Sequence, residues 1–421
     1  MKEIQTRSSI DATVRIPGSK SITHRALITA SLAKGESVLE AFLACEDTLY
    51  TVEGLQELGV EIIINGEDTK VQGTGGEFPS VGGRKEIFLG NSGTSYRLLL
   101  STIALARGEY ILTGTPRMYA RPIGDLVGAL NKLGVEASCA EKGDFPPVSV
   151  KAKGIRGGKV EIAGDKSSQY VSSLLLAGPY AEKYVEIEVT GTLVSQPYVD
   201  VTLDVMNMFG ISVNRDGYRY FKVSGGQKYR PREFKIDGDV SAASYFWAAA
   251  AVTGGTIKTE NIHPHTTKQG DIALLDIMEE MGCRIEKGAE SVVVRGGALS
   301  GIEVDMGAMP DMVPTLAAMA LFAKGRTTIR NVSHLRLKES DRLRAIETEW
   351  RRLGGRIEEL ADGLIIHGGS PLSGTVVDSH EDHRIAMSLA VVGLRVPGIS
   401  IRGERSVNKS FPGFWELWYG L

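Results

Sequence analysis

Apolar and polar positions along this chain repeat one arrangement six times, and a fixed repeat length is the first property to establish in a sequence. Each copy has a short β-branched strand, then a glycine or its equivalent, a polar cluster and a long apolar stretch. The copies are centred on Gly18, Gly90, Gly164, Gly238, Gly307 and Ser379. They read TVRIPGSKSITHRALI, EIFLGNSGTSYRLLL, KVEIAGDKSSQYVSSLLL, EFKIDGDVSAASYFWAA, EVDMGAMPDMVPTLAAMA and TVVDSHEDHRIAMSLAVV. The steps are 72, 74, 74, 69 and 72 residues, which predicts six similar α/β units.

Two further patterns keep the same period. Five helix ends are followed by glycine and a strand, as in LQELGVEI and LNKLGVEA, with the glycines at Gly59, Gly134, Gly210, Gly282 and Gly354. Glycine at that place is typical of a helix C-cap. Alternating strands such as GESVLEAFL and GEYILTGTP begin near residues 35, 108, 183, 255, 325 and 398. Chance recurrence of common α/β patterns is the alternative, and three patterns sharing one period argue against it.

Each unit is expected to run strand, turn, helix, strand, helix, strand. The last unit is truncated, since only FWELWYGL remains for its final helix. We expect the N-terminal segment Glu3–Ile16 to supply the missing strand. Both chain ends then belong to one domain.

Composition narrows the class of protein. With 421 residues, two or three domains are expected, and 48 basic against 51 acidic residues give a net charge of −3. This balance argues against non-specific nucleic-acid binding. The longest apolar runs span eight residues, too few for a membrane helix, and the N-terminus lacks the apolar centre of a signal peptide. The scattered Cys45, Cys139 and Cys283 are expected to be reduced cytoplasmic thiols, neither disulfides nor zinc ligands.

Candidate chemistry gathers where each apolar helix begins. Helix N-termini have unpaired N–H groups and a positive dipole end, so they bind anions. A Ser or Asn at such a place is most often only a helix cap. Lys20, Arg25 and Arg384 are harder to explain as caps, because a cation opposes the helix dipole and needs an anion near it.

Other clusters have ordinary explanations that stay open. HLRLKESDRLRAIE is a charged run of the kind found on solvated helices, TPRMYARPIGDL holds Arg117 and Arg121 in a Pro-bounded loop, and Lys409 lies in VNKSFPGF. No GxxxxGKS, GxSxG or HExxH motif is present. HPH at 263–265 and HEDH at 380–383 lack partner ligands at metal-site spacing, so no metal is expected.

Nine segments together resemble the 5-enolpyruvylshikimate-3-phosphate synthase family of enolpyruvyl transferases. They are PGSKSITHRAL, LGNSGTSYR, PRMYARPIGDLV, GDKSSQ, LVSQPYVDVTLD, PDMVPTLA, RLKESDRL, EDHRIAMS and NKSFP, in that order from residue 17 to 412. The resemblance implies the two-domain α/β enolpyruvyl-transferase fold (an inside-out α/β barrel), with six βαβαββ repeats, three per domain, and a double-strand hinge. It implies a lower domain of residues 1–18 plus 237–421, an upper domain of residues 19–236, and an active site in the cleft between them.

The resemblance also implies the reaction. The family transfers the enolpyruvyl group of phosphoenolpyruvate to the 5-hydroxyl of shikimate 3-phosphate and releases phosphate, in the pathway to chorismate and the aromatic amino acids, where glyphosate is the known inhibitor. By motif, Asp311, Glu339 and Lys20 are the expected catalytic residues. The residues expected to bind shikimate 3-phosphate are Lys20, Ser21, Arg25, Ser167, Ser168, Gln169, Ser195, Asp311 and Lys338. Those expected to bind phosphoenolpyruvate are Lys20, Gly93, Arg121, Gln169, Arg342, Arg384 and Lys409. No cofactor, a monomer and a cytoplasmic location are expected.

The charges of this set agree with two phosphorylated carboxylic acids as substrates. Seven cations face two acids, Asp311 and Glu339, and Arg suits bidentate recognition of phosphate and carboxylate. We therefore expect repulsion among the cations without ligand, and domain closure when anions bind. Addition followed by elimination needs two proton-transfer groups. Asp311 suits the base, and Glu339 or Lys20 the proton donor.

Two departures and two alternatives remain. Many relatives have Asn where this chain has His334, and many read Asn-Ala-Gly-Thr where it has Asn91-Ser92-Gly93-Thr94. The runner-up activity is UDP-N-acetylglucosamine 1-carboxyvinyl transfer, whose enzymes have a reactive Cys in a mobile loop and Ala-Lys-Asn where this chain has Ser19-Lys20-Ser21. A non-catalytic anion-binding repeat protein is the second alternative, and the two acids argue against it, since carboxylates weaken an anion site.

Overall fold

The computed structural model describes residues 1–139 and 143–421. They form two compact units, which we name by position: the terminal unit (1–17 and 237–421) and the central unit (18–236). Each unit has its own continuous apolar core. The chain therefore passes between the units twice, after Pro17 and after Ile236.

The strands, in chain order, are β1 Lys2–Glu3, β2 Asp11–Arg15, β3 Lys34–Glu40, β4 Glu61–Asn65, β5 Asp68–Thr74, β6 Arg84–Phe88, β7 Arg107–Thr113, β8 Glu136–Cys139, β9 Val148–Lys153, β10 Gly158–Ala163, β11 Val185–Thr190, β12 Asn214–Asp216, β13 Tyr220–Val223, β14 Glu233–Lys235, β15 Thr256–Glu260, β16 Arg284–Lys287, β17 Ser291–Arg295, β18 Glu303–Asp305, β19 Arg326–Arg330, β20 Arg356–Glu359, β21 Leu364–His367, β22 Val376–Asp378 and β23 Ser400–Arg402.

The α-helices are α1 Lys20–Leu32, α2 Glu46–Glu57, α3 Gly93–Ala104, α4 Gly124–Lys132, α5 Gln169–Ala177, α6 Pro197–Met208, α7 Val240–Thr253, α8 Leu274–Met281, α9 Val313–Ala320, α10 Arg342–Arg352, α11 His383–Gly393 and α12 Phe414–Tyr419. Among the described residues, no helix has both the length and the apolar character needed to cross a membrane.

The βαβαββ repeat is visible in the sheets. In the repeat formed by residues 84–153, the parallel strands β6 and β7 are joined through α3. β8 and β9 follow α4 and pair antiparallel, and β9 also pairs antiparallel with β7, which gives the sheet order β6-β7-β9-β8. The sheets β10-β11-β13-β12 and β18-β19-β21-β20 have the same order. The predicted α/β repeat architecture is therefore confirmed.

Two leading strands are exchanged between repeats, which the sequence pattern did not predict. β2 precedes Gly18, yet it pairs in parallel with β15 of the fourth repeat. β14 precedes Gly238, yet it pairs in parallel with β3 of the first repeat. Each crossing of the chain between the units thus follows a strand that completes the sheet of the unit being left.

The expected completion of the sixth repeat was only partly right. β1 alone pairs antiparallel with β23, in the three-stranded sheet β1-β23-β22. The rest of the segment 3–16 contains β2, which belongs to the fourth sheet. A two-residue strand therefore replaces the missing pair, and the last sheet is one strand short.

The repeated glycines have two distinct physical reasons. Those after the helices are left-handed, with φ between 88° and 114° at Gly59, Gly134, Gly210, Gly282 and Gly354, which confirms them as C-caps. After the leading strands of the first and fourth repeats, a backbone carbonyl leaves no room for a side chain. A Cβ on Gly18 or Gly238 would lie 2.0 Å from the carbonyl oxygen of Ala41 or Asn261, respectively.

The sixth repeat reverses this contact. Ser379 stands where the other copies have glycine, and the residue opposite it is Gly403. The Ser379 hydroxyl donates to the Gly403 carbonyl over 3.0 Å, and a Cβ on Gly403 would lie 2.3 Å from Ser379 Oγ. The close approach is therefore retained with the small residue on the other strand.

We expect Gly238→Ala to destabilise the terminal unit by about 2–3 kcal/mol, because the Asn261 carbonyl is backbone and cannot move aside. All four tryptophans (247, 350, 415 and 418) lie in this unit, so their fluorescence during chemical unfolding reports on it. Gly413→Ala is the control, since nothing lies within 4 Å of its Cβ position. Equal midpoints for the two variants would contradict the steric explanation.

The buried helices bring the candidate residues together. In the central unit α1, α3 and α5 pack against one another, and in the terminal unit α7, α9 and α11 do so. Nearly every residue of α7 is buried, as expected for a helix that is apolar on all sides. The N-termini of these helices hold the polar clusters of the repeat.

Candidate active site

Nine predicted residues belong to the central unit, and most lie at or near the first turns of α1, α3 and α5. We call them the Lys20 cluster: Lys20, Ser21, Arg25, Gly93, Arg121, Ser167, Ser168, Gln169 and Ser195. Several of them hydrogen-bond residues of neighbouring helices, such as Lys20 with Asp47 of α2 and Gln169 with Thr94 of α3.

Lys20 is the first residue of α1, where its charge opposes the helix dipole. Its Nζ lies 2.9 Å from Oδ2 of Asp47, and the Asp47 side chain is only 2% exposed. Asp47 is in the first turn of α2, where a carboxylate is favoured by the dipole. The anion that this lysine was expected to need is thus supplied by the protein itself.

A buried chain of hydroxyl groups lies behind Asp47. Ser95 Oγ donates to the Asp47 backbone carbonyl over 2.8 Å, and Thr51 Oγ1 donates to Ser95 Oγ over 2.8 Å. His24 Nδ1 lies 2.7 Å from Thr51 Oγ1. These bonds join α1, α2 and α3 and fix the place of Asp47 and, through it, of Lys20.

Arg25 is a buried cation with neutral partners. Its guanidinium donates to Thr202 Oγ1 and to the carbonyls of Ser21 and Tyr198, over 2.7, 2.8 and 3.0 Å. Burial lowers its pKa to about 10. Across the described part of the chain none of its hydrogen-bond partners is a carboxylate, so its positive charge is available to an anionic ligand.

Gly93 and Arg121 are in direct contact. A Cβ on Gly93 would lie 2.4 Å from Arg121 Nη2. Arg121 is 3% exposed, and its Nη1 donates to the Asn91 carbonyl over 3.0 Å. The glycine therefore allows the guanidinium to lie against the start of α3, and a larger residue would displace it.

Gln169 is oriented from both ends of its amide. Arg97 Nη1 donates to its Oε1, and its Nε2 donates to Thr94 Oγ1, each over 2.9 Å. Ser167 and Ser168, just before α5, are 9% and 2% exposed. These bonds connect the first turn of α5 to α3.

Ser195 has a left-handed backbone, with φ at 54°. Such a conformation is uncommon for serine and is found where the surroundings impose it. The residue is buried, two positions before Pro197 opens α6. The loop that holds Ser195 leads directly into α6.

The predicted acids and most remaining cations form a second group in the terminal unit. We call it the Asp311 cluster: Asp311, Lys338, Glu339, Arg342, Asp382 and Arg384. Asp311 lies in a short 3₁₀ turn before α9, Arg342 begins α10, and Arg384 is the second residue of α11.

Arg342 is the centre of the Asp311 cluster and is 1% exposed. Its Nη1 donates to Asp311 Oδ1, its Nη2 to Glu339 Oε2 and its Nε to Asp382 Oδ2, each over 2.8 Å. Burial would lower the pKa of the guanidinium, but the three carboxylates outweigh burial and raise it. One arginine therefore holds three acids.

Asp311 is held from both sides. Arg342 reaches Oδ1, and Arg384 Nη2 donates to Oδ2 over 2.8 Å. Lys338 Nζ lies 3.6 Å from Oδ1. Burial raises the pKa of this carboxyl, yet Arg384, Lys338 and Arg342 together hold it well below its usual range.

Asp382 and Tyr245 position the arginines. Asp382 is fully buried, caps α11 by accepting from the Arg384 N–H over 3.0 Å, and accepts from Ser340 Oγ over 3.1 Å. Arg384 Nη1 lies 3.4 Å from the Tyr245 hydroxyl. Neither residue was among the predicted site residues, because an Asp before a helix reads as an ordinary cap in sequence.

Lys409, the last predicted site residue, and His334, a departure from the family pattern, also lie in the terminal unit. Lys409 is buried at the end of the 3₁₀ segment Glu404–Lys409, which packs against α11. His334 is 4% exposed, and neither ring nitrogen has a hydrogen-bond partner among the described residues. Burial and then the charge of Lys338 lower its pKa to about 4, so the ring is neutral at pH 7.

We expect His334 to make the terminal unit acid-sensitive. Its folded pKa lies below the ordinary value of 6.5, so the unfolded chain binds this proton first, and stability falls as the pH drops from 6.5 towards 4, by about 3 kcal/mol. Chemical unfolding of wild type and His334→Asn at several pH values tests this. The exposed His265→Asn is the control, and equal pH slopes for wild type and His334→Asn would refute the assignment.

The charge balance differs from the expected seven cations against two acids. Asp47 and Asp382 are further acids that hydrogen-bond members of the set. Asp271 is a further buried acid near Asp311: it accepts from Ser241 Oγ, and burial and the nearby Asp311 raise the pKa of its carboxyl to about 6. Lys20, Arg342 and Arg384 are therefore paired within their own units, and repulsion among unpaired cations does not describe them.

Comparisons with known proteins agree with this geometry. The family model "EPSP synthase (3-phosphoshikimate 1-carboxyvinyltransferase)" matches residues 4–418. A 3-phosphoshikimate 1-carboxyvinyltransferase of Methanoculleus marisnigri is 45% identical, with 98% of this chain and 97% of the relative covered. One of Trichormus variabilis is 42% identical, with 98% and 96% covered. A solved EPSP synthase structure from Acinetobacter baumannii superposes with a TM-score of 0.82 at 28% identity, covering 99% and 97% of the two chains. The chain belongs to the EPSP synthase family.

Proposed function

We propose that this enzyme transfers the 1-carboxyvinyl group of phosphoenolpyruvate to the 5-hydroxyl of shikimate 3-phosphate. The observation that best supports the assignment is Asp311, a carboxylate held between the guanidinium groups of Arg342 and Arg384. A site for anion binding alone gains nothing from such an acid. A site that must both bind anions and accept a proton needs one.

The Lys20 cluster suits a phosphorylated hydroxy acid. Arg25 has no carboxylate among its hydrogen-bond partners in the described ranges, and Ser167 and Ser168 precede the N-terminus of α5. A helix N-terminus with hydroxyl groups and a buried cation binds phosphate or carboxylate. We assign this set to shikimate 3-phosphate, together with Ser21, Gln169 and Ser195.

The arginines suit phosphoenolpyruvate, a small molecule with one phosphate and one carboxylate. Arg121, Arg342 and Arg384 are all at most 5% exposed, so their bonds to an anion form in a region with little water and are strengthened accordingly. We assign Lys409 and Gly93 to the same ligand. Lys20 and Gln169 serve both substrates.

The reaction has two steps. The 5-hydroxyl oxygen bonds to C2 of phosphoenolpyruvate, the hydroxyl proton goes to Asp311, and C3 gains a proton. The C2–O bond to phosphate then breaks, phosphate leaves with the electron pair, and C3 loses a proton as the double bond forms again. Glu339 or Lys20 is the group that exchanges the proton at C3.

The pairing of Asp311 suggests how the base is activated. Without ligand, both carboxylate oxygens accept from arginine, which keeps the carboxylate ionised but weakly basic. An incoming phosphate or carboxylate competes for Arg342 and Arg384. When Arg342 and Arg384 donate to the ligand instead of to Asp311, the basicity of Asp311 rises, and this happens when the carboxylate must accept a proton.

Phosphate release tests the proposal. The purified enzyme is assayed with phosphoenolpyruvate plus shikimate 3-phosphate, and separately with phosphoenolpyruvate plus UDP-N-acetylglucosamine. We expect turnover with the first pair only. Turnover with the second pair alone would show that the substrate was assigned wrongly, and silence with both in a folded sample that binds either ligand would favour a binding protein.

The cysteines favour phosphoenolpyruvate plus shikimate 3-phosphate as the substrates. Cys45 and Cys283 are buried, and Cys139 is half-buried at the end of β8. Burial raises the pKa of each thiol, so none has the lowered thiol pKa of a reactive cysteine. A reactive loop cysteine was the feature expected of the UDP-sugar enzymes.

A further inference from the structure

The turn between β22 and α11 has an unusual backbone. His380 and Glu381 are both left-handed, with φ at 52° and 54°. Residues other than glycine seldom adopt this conformation, and two in succession need support from their surroundings. The next residues are Asp382, which bonds Arg342, and Arg384, which bonds Asp311.

Glu349 on α10 supplies that support. Its Oε1 lies 2.9 Å from His380 Nε2, and its Oε2 accepts from the Asp378 N–H over 3.0 Å. Glu349 is 1% exposed and also pairs with Arg352 Nη1 over 3.3 Å. One carboxylate thus holds the turn on both sides of Ser379.

The same helix holds the turn a second time. Arg342 and Glu349 are seven residues, or about two turns, apart on α10, so they lie on one face. Arg342 bonds Asp382 at the end of the turn, and Glu349 bonds His380 at its start. The turn is fixed at two points on one helix, which determines where α11 begins.

We propose that His380 and Glu349 are a positioning pair for the reaction: they hold the left-handed turn that places Asp382 and Arg384. The inference rests on the proposed function, because it assigns Arg384 to phosphoenolpyruvate. Without the pair, the turn relaxes towards ordinary backbone angles and Arg384 moves relative to Asp311.

The pair gives the site a pH dependence. The hydrogen bond to Glu349 raises the pKa of His380, with Asp378 acting in the same direction and burial and Arg352 opposing it. Arg402 lies 3.7 Å from Asp378 and weakens the effect of that acid. The charged pair is therefore complete below the folded pKa of His380 and is lost as the pH rises through it.

Steady-state kinetics of His380→Ala, His380→Gln and Glu349→Gln test the proposal. We expect His380→Ala and Glu349→Gln to raise KM for phosphoenolpyruvate about tenfold and lower kcat a few-fold, with KM for shikimate 3-phosphate within twofold of wild type. His380→Gln restores a donor at similar reach, so it should recover most of kcat/KM. We expect kcat/KM for phosphoenolpyruvate to decline at high pH in wild type, and this decline should be absent in His380→Gln.

His367→Ala is the matched control. His367 Nε2 lies 3.8 Å from Glu358 Oε1 in the β20–β21 hairpin of the same unit, so it is also a His–Glu pair but holds no such turn. Its kinetic constants should stay within twofold of wild type. Tryptophan fluorescence first verifies that His380→Ala is folded. Kinetic constants equal to those of wild type in this folded variant would overturn the proposal. Turnover by the wild-type enzyme would still support the proposed function.

Discussion

Asp311→Ala should lower kcat by about 10²–10⁴-fold, the usual range for a lost general base. The substitution also removes the competitor that occupies Arg342 and Arg384 in the free enzyme. We therefore expect KM for phosphoenolpyruvate to stay equal or fall. A large loss of kcat without weaker binding is the result that distinguishes a base from a binding group.

The measurement is initial-rate phosphate release over a matrix of both substrate concentrations. Direct titration of the variant with phosphoenolpyruvate, in the presence of shikimate 3-phosphate, separates binding from turnover. Asp305→Ala is the matched control, since Asp305 is an exposed acid that bonds the Gly307 N–H and Asn331 Nδ2 within the same repeat. A raised KM with kcat unchanged would assign Asp311 to binding alone.

The repeat made most of the fold predictable. The glycines after five helices and after five of the six leading strands have physical causes within the repeat: a left-handed C-cap after the helices, and the close approach of a neighbouring group after the strands. Such causes place a glycine at the same position in most copies, with Ser379 as the exception among the leading strands, and a period of about 70 residues follows. The prediction of the α/β repeats, which the sheet orders confirm, depends on these recurring glycines.

Strand partners were not predictable in the same way. TVRIPG and EFKIDG have the same pattern, and nothing in either states that β2 pairs with β15 or that β14 pairs with β3. Pairing in a sheet is a long-range choice, made by the backbone and by packing against the rest of the unit. A periodic pattern gives the existence of a strand and leaves its partner open.

Some residues of the candidate site were predictable from local sequence and others were not. Cations at helix starts were detectable because they oppose the dipole, and the structure places Lys20 and Arg384 there. Two acids that pair with predicted cations, Asp47 with Lys20 and Asp382 with Arg342, were not detectable, whereas Asp311, the partner of Arg384, was predicted. Asp47 in a first turn and Asp382 at an N-cap are in positions where aspartate is common for local reasons, so only the three-dimensional contacts reveal their second role.

The largest stability effect is expected at Arg342. In Arg342→Gln three acids lose their shared cation, and one of them, Asp382, is fully buried. Removing one member of a buried ionic cluster typically costs about 3–5 kcal/mol, because the remaining charges are left without compensation. Activity should fall by more than about a thousandfold, since an assigned phosphoenolpyruvate ligand and the partner of the base disappear together.

The pH dependence of the stability loss in Arg342→Gln shows whether the loss arises from the uncompensated carboxylates. Without the arginine, the pKa values of the three carboxyls rise, and protonation relieves the repulsion among them. The stability loss relative to wild type should therefore be largest near pH 7 and shrink towards pH 5. Chemical unfolding followed by tryptophan fluorescence at both pH values measures it.

Arg344→Gln is the control two residues further along α10. Arg344 pairs with Glu359 over 3.2 Å, but its side chain is 67% exposed, so the loss should stay below about 1 kcal/mol. Adding Asp382→Asn to Arg342→Gln should recover part of the lost stability, since the double variant no longer buries that uncompensated charge. A pH-independent loss with no recovery in the double variant would mean that Arg342 stabilises the unit through the packing of its side chain rather than through its charge.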